Sequence, residues 1–351
     1  MWVDHKRNAK TDERERNRHG TMTTHTEPLQ SVLEAVGETP LVRVQASTDE
    51  VPVFAKLESF NPGASIKDRI GEHMLRRMLE RGDVDPGGTV VEPTAGNTGI
   101  GMAMAATQFD LEVVFVVPEE FSVEKQVLMR ALGAEVVNTP TEDGMKRAIE
   151  HAAELVAEME NAVVPQQFSN QLNAETHAQT TGPEIRAALD GEVGALVAGC
   201  GTAGTLMGTA RHLVEHDPDV HVVAVEPEGS LLARTEDREV EQAEYTIEGI
   251  GTSNLATNEL YDPELVDEVR QVTDRAAHEE MHRLAGEEGQ LVASSAAAAS
   301  VAALDVAGRI GDGALDVPHE TVVTIFPDSS ERYLSKGVYD SFESWADEEP
   351  G

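Results

Sequence analysis

The sequence predicts an α/β fold with mostly parallel sheets and helices on both of their faces. Short β-branched runs alternate with helical patterns along the chain, and no internal repeat, heptad pattern or low-complexity linker interrupts that rhythm. Candidate strands are Val51–Leu57, Thr89–Glu92, Glu112–Val117, Ala134–Asn138, Val163–Gln167, Ala195–Gly199, Val220–Val225 and Thr321–Phe326. Amphipathic segments lie between them at Ser122–Leu132, Glu142–Met159, Ala174–Leu189, Thr205–Glu215 and Asp274–Glu287. Strands separated by helices imply right-handed crossovers and parallel pairing. In such sheets ligands collect where strand C-termini meet helix N-termini.

Bulk composition narrows the function class. The 351 residues suffice for two domains or one large α/β unit, and a 40% hydrophobic content supports a substantial core. No apolar run is long enough to span a bilayer, and no signal-peptide core is visible at the start. The single cysteine, Cys200, excludes an internal disulfide and any multi-cysteine metal site. These features lead us to expect a cytoplasmic protein that binds neither membrane nor metal.

A net charge of −37, from 64 acidic against 27 basic residues, argues against a phosphate-backbone footprint and so against nucleic-acid binding. The acidity is spread over the chain, and only five lysines follow Met22. That pattern resembles proteins of a high-salt cytoplasm, where salt screens self-repulsion. Residues 1–21 differ, with six Lys/Arg against four Asp/Glu. Residues 1–28 are expected to be a disordered extension, with Met22 as an alternative start, and residues 346–351 an acidic tail.

The candidate chemistry sits at the joints. In Asn61–Gly71, Pro62-Gly63 reads as a turn and Ser65 as an N-cap, with Asp68 completing a capping-box-like pair. Ile70, Met74, Leu75, Met78 and Leu79 follow at helical spacing. Lys67 therefore falls in the first helical turn, where the dipole disfavours a cation. A lysine held neutral, as in an imine, escapes that penalty; a solvated surface lysine is the plain alternative. A second joint, Pro93–Gly101, offers small residues, helix N–H groups for a carboxylate, and the side chains of Thr94, Asn97 and Thr98. A third, Gly199–Gly208, clusters glycine and threonine as a phosphate cradle without the Walker ending. Gln167 ends a strand and offers an amide to a carboxylate, with a satisfied loop amide as the equal alternative. His177 reads as structural, Cys200 as a small core residue, and Leu291–Ser300 as a small-residue helix with one hydroxyl near its start.

Together the strings NPGASIKDRIG, EPTAGNTGIG, QQFSNQLNAETHAQTTGPEI, GCGTAGT, VAVEPEGS, IEGIGTS and PDSSERYLS occur in that order. They resemble the pyridoxal-phosphate enzymes of the cysteine synthase (O-acetylserine sulfhydrylase) and cystathionine β-synthase family, over about Leu29 to Tyr339. The resemblance implies a two-domain fold type II architecture (tryptophan synthase β-like). Residues 29–67 plus 169–345 would form the larger, cofactor-binding domain and residues 68–168 a smaller, mobile one. It further implies a homodimer, with serine acetyltransferase as a partner.

By the same resemblance, Lys67 would hold pyridoxal 5'-phosphate as an imine and later move the Cα proton. Asn97 would bond the pyridine 3-oxygen, while Gly201, Thr202, Ala203, Gly204 and Thr205 cradle the phosphate. Ser295 would face the pyridine nitrogen, with Ser294 as the alternative. Thr94, Ala95, Asn97, Thr98 and Gln167 would bind the substrate carboxylate, and Gly249-Ile250-Gly251 would line the entrance. The implied reaction is β-replacement on O-acetyl-L-serine or a related activated serine, with sulfide giving L-cysteine through an aminoacrylate. Condensation of serine with homocysteine is the alternative, a dehydratase lies farther off, and a non-catalytic scaffold for serine acetyltransferase is a different class. Ala95 stands where the family commonly has serine and removes a hydroxyl beside the substrate. Ala203 stands where it commonly has glycine, a change of little cost at negative φ, and Ser294–Ala299 replaces a usual glycine.

Overall fold

The computed structural model describes residues 28–232, 241–252 and 258–346. Most of the N-terminal extension, most of the acidic tail and Ser253 of the IEGIGTS string lie outside these residues. Ten strands run in chain order: β1 (Leu41–Arg43), β2 (Val53–Leu57), β3 (Thr89–Pro93), β4 (Glu112–Pro118), β5 (Glu135–Thr139), β6 (Ala162–Val163), β7 (Ala195–Gly199), β8 (His221–Pro227), β9 (Glu268–Val272) and β10 (Val322–Phe326). The α-helices are α1 (Lys67–Arg81), α2 (Asn97–Phe109), α3 (Val123–Ala131), α4 (Gly144–Glu158), α5 (Leu172–Gln179), α6 (Thr181–Ala188), α7 (Gly204–His216), α8 (Asp274–Glu288), α9 (Ser294–Gly311) and α10 (Phe342–Ala346).

They make two α/β units. One is built on a six-stranded sheet in the order β1-β2-β10-β7-β8-β9, the other on a four-stranded sheet in the order β5-β4-β3-β6. Every pairing is parallel except that of β1 with β2. The central strands read as unbroken apolar runs because helices cover both faces: β10 is buried throughout, as is β7 up to Gly199. Separate apolar clusters fill the two faces of the larger sheet, and a third lies between α1, α2 and β4.

The elements depart from expectation in three places. Strand β6 is only Ala162–Val163, not Val163–Gln167, because Pro165 has no N–H for the ladder and Gln166 turns to φ 61°. The helix expected over Ala174–Leu189 is two helices broken at Thr180 (φ −126°, ψ −71°), since Pro183 has no N–H to return to Gln179. Strands β1 and β9, short and partly exposed, were not expected at all.

A close helix crossing places the first joint against the second. A Cβ on Gly71 of α1 would lie 2.3 Å from the Gly101 carbonyl carbon, and one on Gly101 of α2 would lie 2.4 Å from the Lys67 carbonyl oxygen. Bare backbone on both sides lets α1 and α2 touch, so Lys67 and Asn97 open neighbouring helices.

Candidate active site

The chain enters α1 through a pairing with the end of β10. Ser65 bridges Asp328, and the Ile66 N–H donates to the Pro327 carbonyl at 2.8 Å. That pairing turns Ile66 into helical geometry, so Ile66, not Ser65, is the N-cap and no side chain caps the helix. Ser65 Oγ accepts the Lys67 N–H at 3.2 Å, and the Asp68 carboxylate reaches back to the N–H groups of Gly63 and Ser65. The reciprocal half of the expected capping box is thus present, displaced toward the turn. Lys67 is the first residue of α1, and burial lowers its pKa to about 8 against the opposing pull of Asp328. The amine is poised toward its neutral form, the direction the helix-start position suggested.

Asn97 opens α2 and donates through Nδ2 to Asp328 Oδ2 at 2.6 Å. The Tyr333 hydroxyl donates to the same oxygen at 2.6 Å. Asn97 Oδ1 and Asp328 Oδ1 are both buried without a hydrogen-bond partner. Asp328 is only 4% exposed, and burial raises its pKa above the usual carboxylate range. Neither Asp328 nor Tyr333 was singled out from sequence, although both lie in the PDSSERYLS string.

The third joint runs from β7 into α7. Ala203 stands at φ 67°, so the condition under which alanine would cost little there, a negative φ, is not met: the chain passes through the left-handed region to start α7 at Gly204. A side chain at Gly204 would strike Asn173 Oδ1 at 2.0 Å. Thr202 Oγ1 accepts from Asn173 Nδ2 at 3.1 Å. Thr205 Oγ1 lies 3.2 Å from His177 Nε2, and His177 Nδ1 lies 2.8 Å from Thr181 Oγ1. Burial, with nearby Arg69 and Lys67, holds His177 well below its usual pKa, so the ring is a neutral prop for the loop. Cys200 is buried, with its thiol pushed up to about 12 chiefly by that burial.

These joints converge on one cleft. Lys67, Asn97, Gly201, Thr202, Ala203, Thr205, Gly249 and Ser295 line it, together with Asp328 and Tyr333. Ser294 is outside that lining; its Oγ accepts the Glu248 N–H at 3.1 Å. Gly204 sits behind the loop. Thr94, Ala95, Thr98 and Gln167 also stand outside the lining, grouped at the start of α2. There Thr94 Oγ1 accepts the Gly96 N–H at 3.3 Å, and Thr98 donates to Gln167 Oε1 at 2.7 Å. Gln167 is held by buried Glu92, whose carboxylate takes the backbone N–H groups of Gln166 and Gln167.

The residues present fit a phosphorylated aldehyde. The cleft has a small-residue loop at the positive end of α7 for a dianion, an amine leaning toward neutrality, and an asparagine with an unused oxygen. The fold and site therefore define an α/β protein whose cleft suits such a cofactor beside Lys67. The model of the pyridoxal-phosphate dependent enzyme family matches residues 32–328, and the chain belongs to that family. The chain is 43% identical over 314 residues to the O-acetylserine dependent cystathionine beta-synthase of Bacillus subtilis, covering 89% of this chain and 98% of the relative. It is 39% identical over 315 residues to a cysteine synthase of Helicobacter pylori, covering 89% and 99%. Among solved structures it superposes on a cysteine synthase from Entamoeba histolytica with a TM-score of 0.83 at 32% identity, covering 93% of each chain. It also superposes on an O-acetylserine dependent cystathionine beta-synthase from Helicobacter pylori with a TM-score of 0.79 at 39% identity, covering 89% and 99%. No described helix is long and apolar enough to cross a membrane, and no metal-binding cluster occurs among the described residues.

Proposed function

We propose that the chain is a cysteine synthase, replacing the β-substituent of O-acetyl-L-serine with sulfide to give L-cysteine. The convergence of Lys67, Asn97 and the 201–205 loop on one cleft carries the reading, in a chain whose relatives include named cysteine synthases matched over nearly their whole length. When bound, pyridoxal phosphate supplies the electron sink that lets the Cα proton leave and the β-substituent follow. The protein's part is to hold and move protons. Lys67 would anchor the cofactor and would be the base for the Cα proton. Gly201, Thr202, Ala203, Gly204 and Thr205 hold the phosphate, Asn97 the pyridine 3-oxygen, and Ser295 the pyridine nitrogen. A serine there, unlike an aspartate, does not enforce a protonated ring, which favours prompt β-elimination over transamination. Thr94, Ala95, Asn97, Thr98 and Gln167 grip the substrate carboxylate when residues 68–168 close as a unit over 29–67 and 169–345, excluding water.

A second reading replaces sulfide with homocysteine to give cystathionine. The relatives named O-acetylserine dependent cystathionine beta-synthase favour it as strongly as the others favour sulfide. A cytoplasmic homodimer with a halophile-type acidic surface, able to dock serine acetyltransferase, completes the proposal. The net charge of −37 supports the surface reading. The test is to load the enzyme with cofactor in high salt, record its visible absorbance, and add O-acetylserine, O-phosphoserine and serine separately before sulfide or homocysteine. A visible band lost in Lys67→Ala, with acetate release from O-acetylserine, is expected. A colourless, inert wild type would favour the scaffold reading.

A further inference from the structure

Among the described residues, Asp328 is the one carboxylate in the lining of the cleft, and its bonding is lopsided. Oδ2 takes two short hydrogen bonds, from Asn97 Nδ2 and Tyr333 Oη, each 2.6 Å. Oδ1 is buried and takes none. A buried acceptor left unpaired costs free energy unless a ligand supplies the missing hydrogen. The carboxylate is fixed beside the lysine, since Ser65, two residues before Lys67, bridges Asp328 along the backbone. Tyr333 is held in turn, with Lys125 Nζ 4.0 Å from its ring centroid. The charged or titratable groups facing Asp328 are Lys67 on α1, Lys125 on α3, and Arg332 and Tyr333 from the segment after β10. Asn97 on α2 is its neutral partner.

O-Acetylserine loses acetate, a stable anion that needs no acid to depart. A protonated thiol, by contrast, must give up a proton as it attacks. We propose that Asp328 is a catalytic residue of the thiol-addition half of the reaction, its free Oδ1 taking the S–H proton as sulfur bonds to the substrate β-carbon. The inference rests on the β-replacement reading above. In the step the S–H bond breaks and the proton passes to Oδ1. The sulfur pair forms the S–Cβ bond, and the displaced electron pair returns toward Cα, where Lys67 delivers a proton. Asp328 gives its proton to water when product leaves. Hydrosulfide arrives already ionised and needs no base, so Asp328 matters for a neutral thiol such as homocysteine and little for hydrosulfide.

The test compares Asp328→Asn, which keeps an acceptor for Asn97 and Tyr333, with wild-type holoenzyme. Acetate release in a single turnover reports the first half, and thiol consumption on adding L-homocysteine or sodium hydrosulfide reports the second. General-base removal costs typically ~10²-fold or more. The expected result is a loss of about that size with homocysteine relative to acetate release, and a loss under tenfold with hydrosulfide. In the wild type the homocysteine step should fall on the acid side as Asp328 protonates, and the variant should lack that limb. Infrared titration of the ligand-free protein should show a carboxyl band absent from Asp328→Asn. Equal slowing with both nucleophiles, or no titrating carboxyl lost in the variant, overturns the proposal while leaving β-replacement intact. A wild type that releases no acetate overturns both.

Discussion

The crossing of α1 and α2 makes an unusually sharp prediction, because one methyl group separates a working site from a displaced one. Gly71→Ala adds a Cβ 2.3 Å from the Gly101 carbonyl carbon, 2.4 Å from its oxygen and 2.7 Å from the Met102 nitrogen. All three are backbone atoms and cannot swing away. Ordinary contact begins near 3.4 Å, so the helices must part by about 1 Å. Overpacking of this kind costs ~1–3 kcal/mol, against which alanine's better helix propensity returns up to ~1 kcal/mol. The net loss of stability is therefore modest, roughly 0–3 kcal/mol. The functional loss is larger, because Lys67 lies one turn before Gly71 and Asn97 one turn before Gly101. A displacement of about 1 Å between reacting groups costs ~10²-fold in rate. Gly101→Ala should act alike, since its Cβ would meet the Lys67 carbonyl oxygen at 2.4 Å. Gly286→Ala is the control: that glycine lies in α8 with nothing within 4 Å of the added Cβ. It should stabilise the protein by ~0.5–1 kcal/mol without changing turnover. Denaturant melts and turnover of O-acetylserine with sulfide measure all three. Gly71→Ala with wild-type turnover would refute the claim that the crossing sets the distance between Lys67 and Asn97.

Other consequences concern buried charge. Lys67, with its pKa lowered to about 8, must be unprotonated to attack an aldehyde. The rate at which apoenzyme takes up pyridoxal phosphate, followed by absorbance, should rise about tenfold per pH unit below about 8 and then level. Glu92 is 2% exposed with a pKa raised from 4.5 to about 7 by burial, so between those pH values the folded state holds a proton the unfolded state has lost. Stability must then fall as pH rises through that window, by ~3 kcal/mol in total. Glu92→Gln should remove that slope, and a Tm difference from wild type that fails to grow from pH 4.5 to 7 would count against it. Arg69 bonds Glu58 Oε2 and Glu184 Oε1 at 2.6 Å each, and Glu58 is fully buried. Arg69→Met should cost ~3–5 kcal/mol by leaving Glu58 unpaired, read from urea denaturation.

What was legible in the sequence followed from periodicity and from joints. The buried parallel strands announced themselves as apolar runs, two loop–helix joints as glycine and threonine clusters, and the third by its helix-start lysine. Strand β9 escaped because its Glu268-Val269-Arg270-Gln271-Val272 alternation marks a half-exposed edge, which single-sequence reading gives little weight. The break at Thr180 was readable in hindsight from Pro183. Asp328 was not readable as a functional group, because its meaning depends on Asn97, 231 residues away in sequence. An orphaned oxygen is a property of packing. The residues expected to bind the substrate carboxylate are an intermediate case: they group at the start of α2, yet only Asn97 lines the cleft, and Thr94, Ala95, Thr98 and Gln167 stand beside it.

Ala203 shows how firmly the phosphate loop is held. An alanine in the left-handed region costs roughly 1–2 kcal/mol, and burying its methyl returns about 0.8 kcal/mol. Local preference alone would let this residue relax to negative φ, and the surroundings forbid it. Gly201 is pressed against the Gly249 carbonyl, where a Cβ would sit 2.4 Å away, and Gly204 against Asn173. The Ala203 N–H is tied to the Cys200 sulfur, and the Cβ is packed in the core around Leu206 and Met207. A strained residue persists only where neighbours over-determine it, and such places gather at ligand sites. The loop's shape is therefore fixed by its own packing, as the phosphate cradle proposed for it requires. At the neighbouring Thr94–Thr98 segment, by contrast, Asn97 is tied to the larger unit through side-chain bonds to Asp328 and Tyr333.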